Sequence, residues 1–157
     1  MLVIVFILLM AIKAVPEGME YTVERYGRFT KILKPGFNVI LPFIDRVSYK
    51  VDMRERKVPI QFGDLKTKDN QEIVTSGDLH VQVVDAHKVA YDRGNVDENI
   101  RLRAGLEMKK LVKSMTLDEV MAEADVLDAA IMESVEPLQY EWGIKVNYID
   151  VHKVYPA

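Results

Sequence analysis

Cysteine is absent from the 157-residue sequence, which excludes disulfide bonds, thiol catalysis, thiolate metal sites and palmitoylation. Phosphate-binding glycine loops and the H-E-x-x-H metal motif are also missing, and no two histidines have i, i+4 spacing. No serine lies in a G-x-S-x-G motif, and we interpret the triplet Ser76-Gly77-Asp78 as a β-bulge rather than as a nucleophile site. The sequence therefore predicts no catalytic residue, no cofactor and no metal site.

The charges are unevenly distributed along the chain. Residues 13–57 carry ten Lys/Arg and six Asp/Glu, a balance of +4, whereas residues 58–157 carry eleven and eighteen, a balance of −7. A basic half next to an apolar N-terminus suits a protein that lies on anionic lipid, although ordinary solvated faces would give the same composition. An acidic chain without a basic patch interleaved with aromatics argues against nucleic-acid binding.

The first twelve residues, MLVIVFILLMAI, contain no polar side chain. As a helix they would rise about 18 Å, less than the ~30 Å hydrocarbon core of a bilayer. A secretory signal peptide would need a preceding basic region, and a soluble core helix would need a polar stripe. The pattern predicts a membrane anchor over residues 1–15 that either dips into the bilayer or is the end of a longer helix. The residues predicted to insert are Leu2, Val3, Ile4, Val5, Phe6, Ile7, Leu8, Leu9, Met10 and Ile12.

Residues 16–90 are predicted to be rich in strands. Apolar and polar side chains alternate with period two over residues 19–24, 47–53, 58–62 and 73–83. The runs are separated by the turn sequences Tyr26-Gly27-Arg28, Lys34-Pro35-Gly36 and Lys68-Asp69-Asn70. Pro42 interrupts another apolar run, which predicts a short edge strand or a loop there. Strands joined this closely by turns indicate an antiparallel sheet.

Residues 95–140 are predicted to be helical. One stripe of period 3.6 contains Val96, Ile100, Ala104, Met108, Leu111 and Met115, and Leu102 with Leu106 forms a second apolar patch. Thr116 and Glu119 predict a capping box that opens one further helix, which Pro137 kinks or ends. The apolar face of that helix is predicted to be Val120, Ala124, Leu127, Ile131, Val135 and Leu138.

The chain is predicted to close with a strand over residues 142–155. Its inward-facing set changes parity between Tyr148 and Ile149, which suggests a bulge. Together with the preceding helices and strands, this gives an α+β fold in which an antiparallel sheet packs with helices.

Two neighbouring helices carry opposite charge. The helix after Thr116 is acidic and has no Lys or Arg, whereas the preceding helix is rich in Lys and Arg. Such helices could pair within a subunit or make a head-to-tail contact between subunits, of the kind that closes rings. The candidate oligomer contacts are Arg101, Leu102, Arg103, Leu106, Lys110, Glu123 and Asp128.

Several blocks of the sequence occur together in one known family. They are VPEGMEYTVERYGRFTKILKPGFNVILPFIDRV, LKTKDNQEI, MTLDEVMAEADVL and WGIKVNYIDVHKV. In this combination they resemble the stomatin/prohibitin/flotillin (SPFH, band 7) domain, in its prokaryotic stomatin-like branch, and the likeness covers residues 15–156. The sequence departs from the usual family pattern on the proposed assembly surfaces, at Lys109, Lys113, Ala124, Tyr148 and Lys153.

The resemblance implies an SPFH wedge over residues 16–157 behind a short N-terminal membrane segment. It further implies a ring or cage homo-oligomer that organises membrane microdomains and regulates membrane proteins such as proteases, without catalysis or a cofactor. The implied partners are membrane lipid, a membrane protease and an NfeD-type protein. Because the family usually continues into a long coiled coil, the sequence is expected to be a fragment or a short form. Lys13 and the following basic residues favour a cytoplasmic domain, although the family has members on both sides of membranes.

Two further sets of residues are candidates for contact with the bilayer. A second, shallow apolar contact is predicted at Phe37, Ile40, Leu41, Phe43 and Ile44, with packing under the sheet as the alternative. Candidate lipid-headgroup contacts are Arg25, Arg28, Lys31 and Lys34. The rival function is a protein-binding adaptor or a substrate of a membrane protease, in which oligomerisation is incidental. An independent hydrolase would need a cleft with an activated serine or a perturbed carboxylate.

Overall fold

The computed structural model describes residues 2–91, 95–152 and 155–156 of the chain. Lys153 lies outside the described residues, as does the side chain of Val3. The chain forms two compact units, Met1–Arg54 with Val83–Asp92, and Glu55–Gln82 with Arg93–Ala157. Each unit combines helices with antiparallel strand pairs, so the predicted α+β class is confirmed.

The first unit contains two small antiparallel sheets. Its elements are α1 (Leu2–Ala11), β1 (Ile12–Val15), β2 (Met19–Arg25), β3 (Arg28–Leu33), β4 (Gly36–Val39), β5 (Asp45–Asp52) and α2 (Ala86–Tyr91). Strand β1 pairs with β4, and the second sheet has the order β3-β2-β5. Tyr26 and Gly27 both have positive φ angles (52° and 76°), as a tight two-residue hairpin between β2 and β3 requires. The core of the unit is Val15, Val23, Leu33 and Ile40, against which Met19, Tyr21 and Val47 pack.

The second unit packs helices on a sheet. Its elements are β6 (Arg56–Lys66), β7 (Glu72–Val83), whose last residue belongs to the first unit, α3 (Val96–Ser114), α4 (Leu117–Ala122), α5 (Ala124–Trp142), β8 (Ile144–Val151) and β9 (Tyr155–Pro156). The sheet order is β6-β7-β8, with β9 also paired to β7. Helix α3 contacts β6, and α5 contacts both α3 and β8. The core between the layers includes Leu79, Ile100, Met108, Leu127 and Ile131, each 0% exposed.

Helix ends in the second unit follow local sequence chemistry. The Asn95 side chain caps α3 by accepting a hydrogen bond from the Glu98 amide. The predicted capping box is confirmed, because the Thr116 hydroxyl accepts from the Glu119 amide while the Glu119 carboxylate accepts from the Thr116 amide. Gly143 ends α5 in the left-handed conformation that glycine adopts at little cost.

The prediction of one helix after Thr116 is wrong, because the chain breaks at Glu123 into α4 and α5. Glu123 has φ −117° and ψ 44°, outside the helical region. The break turns Ala124 outward, so that the predicted stripe buries Val120 and Leu127 but leaves Ala124 exposed. Pro137 does not end α5, which continues to Trp142.

The predicted bulge at Ser76-Gly77-Asp78 is also wrong. These residues pair in regular register with Pro59, Ile60 and Gln61, and the shift in the β6–β7 ladder lies between Phe62 and Leu65. The predicted change of parity in the closing strand is confirmed, since Ile144 and Val146 are buried before Tyr148, and Ile149 and Val151 after it.

Gly77 is required by a close approach of β8. A Cβ atom at this position would lie 2.9 Å from the Asp150 carbonyl oxygen, a backbone atom that moves only if β8 moves. We expect Gly77→Ala to lower the free energy of unfolding by about 1–3 kcal/mol, as overpacking does elsewhere. Gly105→Ala is the matched control, because open space surrounds that position and alanine favours the helix by about 0.5–1 kcal/mol. Urea unfolding of both variants measures the difference, and equal stability of the two would contradict the close approach.

Candidate membrane interface

The first unit exposes nearly every side chain of α1. Helix α1 is ten residues long and has no polar side chain. The exposed members are Leu2, Ile4, Val5, Phe6, Ile7, Leu8, Leu9 and Met10. In the part of the chain that the structure describes, no helix is both long and apolar enough to cross a membrane.

Ile12 was predicted to insert as part of the helix, but it begins strand β1. Ile12 pairs with Val39 and Val15 pairs with Gly36, so the backbone hydrogen bonds of this segment go to β4. The Ala11 carbonyl accepts a hydrogen bond of 2.9 Å from the Ile40 amide, which ties the end of α1 to the end of β4. Strand pairing and the burial of Val15 therefore end the helix at Ala11.

A second group of exposed apolar side chains adjoins this junction, and we call it the tip surface. Its members are Ile12, Phe37, Val39, Leu41, Phe43 and Ile44. Phe37 and Phe43 are 87% and 82% exposed, far more than is usual for phenylalanine. The predicted membrane contact at Ile40 is wrong, because this side chain is 5% exposed and packs in the core.

The tip surface is shaped by a loop between β4 and β5. The Asp45 carboxylate accepts hydrogen bonds from the Leu41 amide at 2.9 Å and from two guanidinium nitrogens of Arg25 at 2.8 and 3.3 Å. The Leu41 carbonyl accepts from the amides of Ile44 and Asp45. The hydrogen bonds to the carboxylate lower the pKa of Asp45. Those from Arg25 have the larger effect and the bond from the Leu41 amide the next largest. These bonds hold Phe43 outward with a φ of 71°, a costly conformation for a phenylalanine.

The candidate headgroup cations are not all in one place. Lys31 lies beside the tip surface, since its Nζ donates to the Val39 carbonyl at 2.7 Å. Arg28 is exposed and pairs in register with Arg25 at the β2–β3 turn. Arg25 forms an ion pair with Asp45. Lys34 directly follows β3, at the end of the strand opposite to Arg28. Lys31 and Arg28 are thus the cations best placed to meet a headgroup beside the tip.

Sequence reasoning missed three features of this end of the unit. Tyr26 is 83% exposed in the turn beside Arg25, and it lies at the same end as Asp45 because Arg25 and Asp45 pair in the β2–β5 ladder. The second feature is the segment from Val39 to Asp45. Period-two alternation could have found the exposed Val39, whereas nothing in the pattern around Asp45 indicates its bond to Arg25, 20 residues away. The third feature is Tyr91, whose hydroxyl donates to Glu24 at 2.9 Å and whose pKa is raised by burial.

The predicted oligomer contacts occupy different environments in the second unit. Leu102 and Leu106 are exposed, as are Arg103 and Glu123. The guanidinium of Arg101 donates to the Pro59 carbonyl at 3.0 Å, and Lys110 pairs with Glu107 at 3.3 Å. Asp128 accepts from the Val151 amide at 3.3 Å, and burial raises its pKa. The first four are therefore available to a partner, while the other three have contacts within the chain.

Polar clusters in the second unit serve to join strands. The Ser76 hydroxyl lies 3.0 Å from Nδ1 of His152, whose Nε2 lies 3.5 Å from Asp78. His152 also donates its amide to the Ser76 carbonyl at 2.7 Å, so the cluster ties the residue after β8 to β7. Elsewhere the His80 ring stacks on Tyr148 with centroids 3.9 Å apart. No group of three or more residues suited to a metal ion occurs among the described residues.

The chain belongs to the SPFH domain / Band 7 family, whose model matches residues 13–157. Proteins of this family typically form homo-oligomers, associate with membranes and are generally non-catalytic scaffolds. The predicted membership is confirmed.

Relatives occur in eukaryotes and archaea. An uncharacterised protein of Schizosaccharomyces pombe is 32% identical over 92% of this chain and 41% of its own length. Human mitochondrial stomatin-like protein 2 is 27% identical over 90% of this chain and 40% of its own. An uncharacterised protein of Methanocaldococcus jannaschii is 29% identical over 99% of this chain and 77% of its own. The chain thus spans about two-fifths of the length of the first two relatives.

Proposed function

We propose that this chain is a membrane-anchored scaffold domain that associates with further copies of itself on a bilayer and has no catalysis of its own. In this proposal residues 1–15 supply the anchor and residues 16–157 the SPFH domain. The observation that carries the proposal is the junction of α1 with the tip surface, where exposed apolar side chains of a helix and of a strand pair adjoin. An exposed apolar surface of this extent on a folded unit marks a site that contacts a membrane or another protein.

The bilayer is the occupant that best suits this surface. Partition of one phenylalanine or leucine side chain into an apolar phase contributes roughly 1.5–3 kcal/mol, and several such side chains lie on the tip surface. Lys31 and Arg28 stand where anionic headgroups would meet them, each contributing on the order of 1 kcal/mol near the surface. The same arrangement explains why a phenylalanine is held outward in the loop closed by Asp45.

The finer roles of the scaffold rest on family resemblance. We propose that the assembly organises membrane microdomains and regulates membrane proteins such as proteases, with a membrane protease or an NfeD-type protein as its partner. These roles need a protein-binding surface in addition to the tip surface. The helices of the second unit carry exposed side chains for such contacts.

Site-specific fluorescence tests the membrane contact, and the absence of cysteine makes labelling unambiguous. We expect Phe43→Cys carrying the dye NBD to shift its emission to the blue on vesicles with anionic lipid, because the dye enters an apolar phase. Lipids carrying a nitroxide in the upper acyl chain should quench it. Tyr140→Cys in α5 is the matched control, an aromatic position with 81% exposure in the second unit. An equal response at the two positions, or none at position 43, would contradict the proposed contact.

A further inference from the structure

The turn between β2 and β3 exposes an aromatic side chain at the end of the first unit's sheet. Arg25 pairs with Arg28, so Tyr26 and Gly27 alone connect the two strands. Both have positive φ angles, as in a type I′ turn, whose first position normally holds Asn, Asp or Gly. Tyrosine adopts this conformation at a cost, and its 83% exposure means that packing within the chain offsets little of that cost. A strained and exposed ring of this kind indicates a contact outside the chain.

The turn is joined to the tip surface through Asp45. This residue pairs with Arg25 in the β2–β5 ladder and accepts two hydrogen bonds from its guanidinium. The same carboxylate accepts from the Leu41 amide, so one group holds both the end of the turn and the loop that presents Phe43. The exposed ring of Tyr26 thus extends this end of the unit beyond the residues of the tip surface.

Two arginines flank the turn. Arg28 lies opposite Arg25 in the β2–β3 ladder, and Arg46 lies opposite Glu24 in the β2–β5 ladder. Successive residues of a strand point to opposite faces, so the two arginines are on the two faces of the sheet. Both are exposed, and neither forms an ion pair within the described residues, since the Glu24 carboxylate accepts from the Tyr91 hydroxyl at 2.9 Å. The turn therefore carries two exposed guanidinium groups beside an amphipathic ring.

A phospholipid surface suits this combination. Tyrosine concentrates at the boundary between headgroups and acyl chains, where its ring meets an apolar phase and its hydroxyl stays near water. A guanidinium group binds phosphate through two parallel hydrogen bonds, and anionic lipid attracts basic side chains that lie near its surface. The turn also continues a surface that already has the bilayer as its proposed occupant.

We propose that the β2–β3 turn is a separate and shallower lipid contact, in which Tyr26 enters the boundary between headgroups and acyl chains while Arg28 and Arg46 bind phosphates. This inference rests on the proposed membrane contact of the tip surface and adds a further point of attachment to it. Contact at α1, the tip surface and the turn together limits the tilt of the first unit more than α1 alone does. The two arginines make the contact selective for anionic lipid.

Fluorescent labels at two depths test the inference in the full chain. Tyr26→Cys carrying NBD should shift its emission to the blue on vesicles with anionic lipid, by less than the label at Phe43→Cys. A nitroxide on the lipid headgroup should quench it more strongly than a nitroxide in the upper acyl chain. If the label replacing Phe43 responds and the label replacing Tyr26 stays in water, this inference is wrong, while the proposed function stands and the turn is left to a protein partner. If neither label responds, the proposed membrane contact fails as well.

Tyr26→Asn separates lipid binding from folding, because Asn-Gly is a preferred sequence for this turn. We expect the variant to unfold at a higher urea concentration than the unsubstituted chain and yet to bind vesicles about three- to tenfold more weakly in flotation. Tyr26→Trp should keep the affinity, since tryptophan concentrates at the same boundary. Tyr140→Asn makes the control change at an exposed tyrosine of the second unit and should leave binding intact. Vesicle binding of Tyr26→Asn equal to that of the unsubstituted chain would overturn the proposal.

Arg46→Gln tests the charge of the contact. On vesicles with anionic lipid we expect about fivefold weaker binding, and on neutral phosphatidylcholine vesicles little change, because the attraction to the surface potential is what the variant loses. Arg103→Gln is the matched control, since it removes the same charge at an exposed position of the second unit. Equal binding of the two variants to anionic vesicles, or an equal loss for Arg46→Gln on both kinds of vesicle, would contradict the arginine contact.

Discussion

Replacing Ile4 and Leu8 by aspartate is expected to move the chain from the membrane fraction to the soluble fraction. The two residues are one helical turn apart in α1 and both are exposed. A charged side chain costs about 2.5–3.5 kcal/mol at the centre of an inserted helix, so two of them should reduce partition by at least a thousandfold. Vesicle flotation over a range of lipid concentrations measures the change.

A control variant separates insertion from added charge. Gln71→Asp with Ala129→Asp also introduces two carboxylates, but at exposed positions of the second unit, which does not contain α1. We expect it to float with the vesicles like the unsubstituted chain. If the variant with Ile4→Asp and Leu8→Asp also floats at low lipid concentration, α1 is not the anchor, and the tip surface would have to supply the binding.

Replacing Asp45 by alanine is expected to release the loop that presents Phe43. The substitution removes the acceptor for the Leu41 amide and for two donors of Arg25. Hydrogen exchange at the Leu41 amide should become on the order of ten- to a hundredfold faster, because a bond to a charged acceptor is lost. Asp52→Ala is the control, since the hydrogen bonds of that carboxylate within the described residues go to Arg54, two residues away. Unchanged exchange at Leu41 would show that Asp45 does not hold the loop.

The same carboxylate gives a pH dependence of known sign. The neighbouring Arg25 guanidinium, followed by the Leu41 amide, lowers the pKa of Asp45 below its ordinary value of 3.8. Its contribution to stability is therefore complete above the unfolded-state pKa and is lost as the pH falls through the lower folded-state pKa. The difference in unfolding free energy between the unsubstituted chain and Asp45→Asn should be constant from neutral pH to about 5 and should shrink below about 4. A difference that grows on acidification would contradict this assignment.

Local patterns in the sequence predicted the elements that local chemistry determines. The alternation of Val58, Ile60 and Phe62 identified a strand with one buried face, and Thr116 with Glu119 identified a helix start. Leu102 and Leu106 were predicted to lie apart from the buried stripe, and the structure leaves both exposed. In each case the interacting residues are close in sequence, so that a fixed period or spacing carries the information.

Features that depend on distant residues were not predictable in this way. Glu123 and Ala124 both favour helices, so propensity gives no sign of the break between α4 and α5. Ile40 belongs to the same apolar run as Phe37 and Phe43, yet only Ile40 meets Val15, Val23 and Leu33 in the core. Gly77 was interpreted as a bulge because the approach of β8, about 70 residues later in the chain, cannot be read from its neighbours.

The direct passage from α1 into β1 has a consequence for how copies meet. Ala11 ends the helix and Ile12 begins the strand, so no flexible linker separates them, and the Ile40 amide fastens the joint. In the proposed anchoring by α1, the first unit stands at a fixed height and tilt above the lipid instead of swinging on a tether. The first units of neighbouring copies would then share one orientation to the bilayer before they touch. In that proposal, much of the rotational freedom that association would otherwise remove is lost on binding the membrane, so weak lateral contacts would suffice for assembly there.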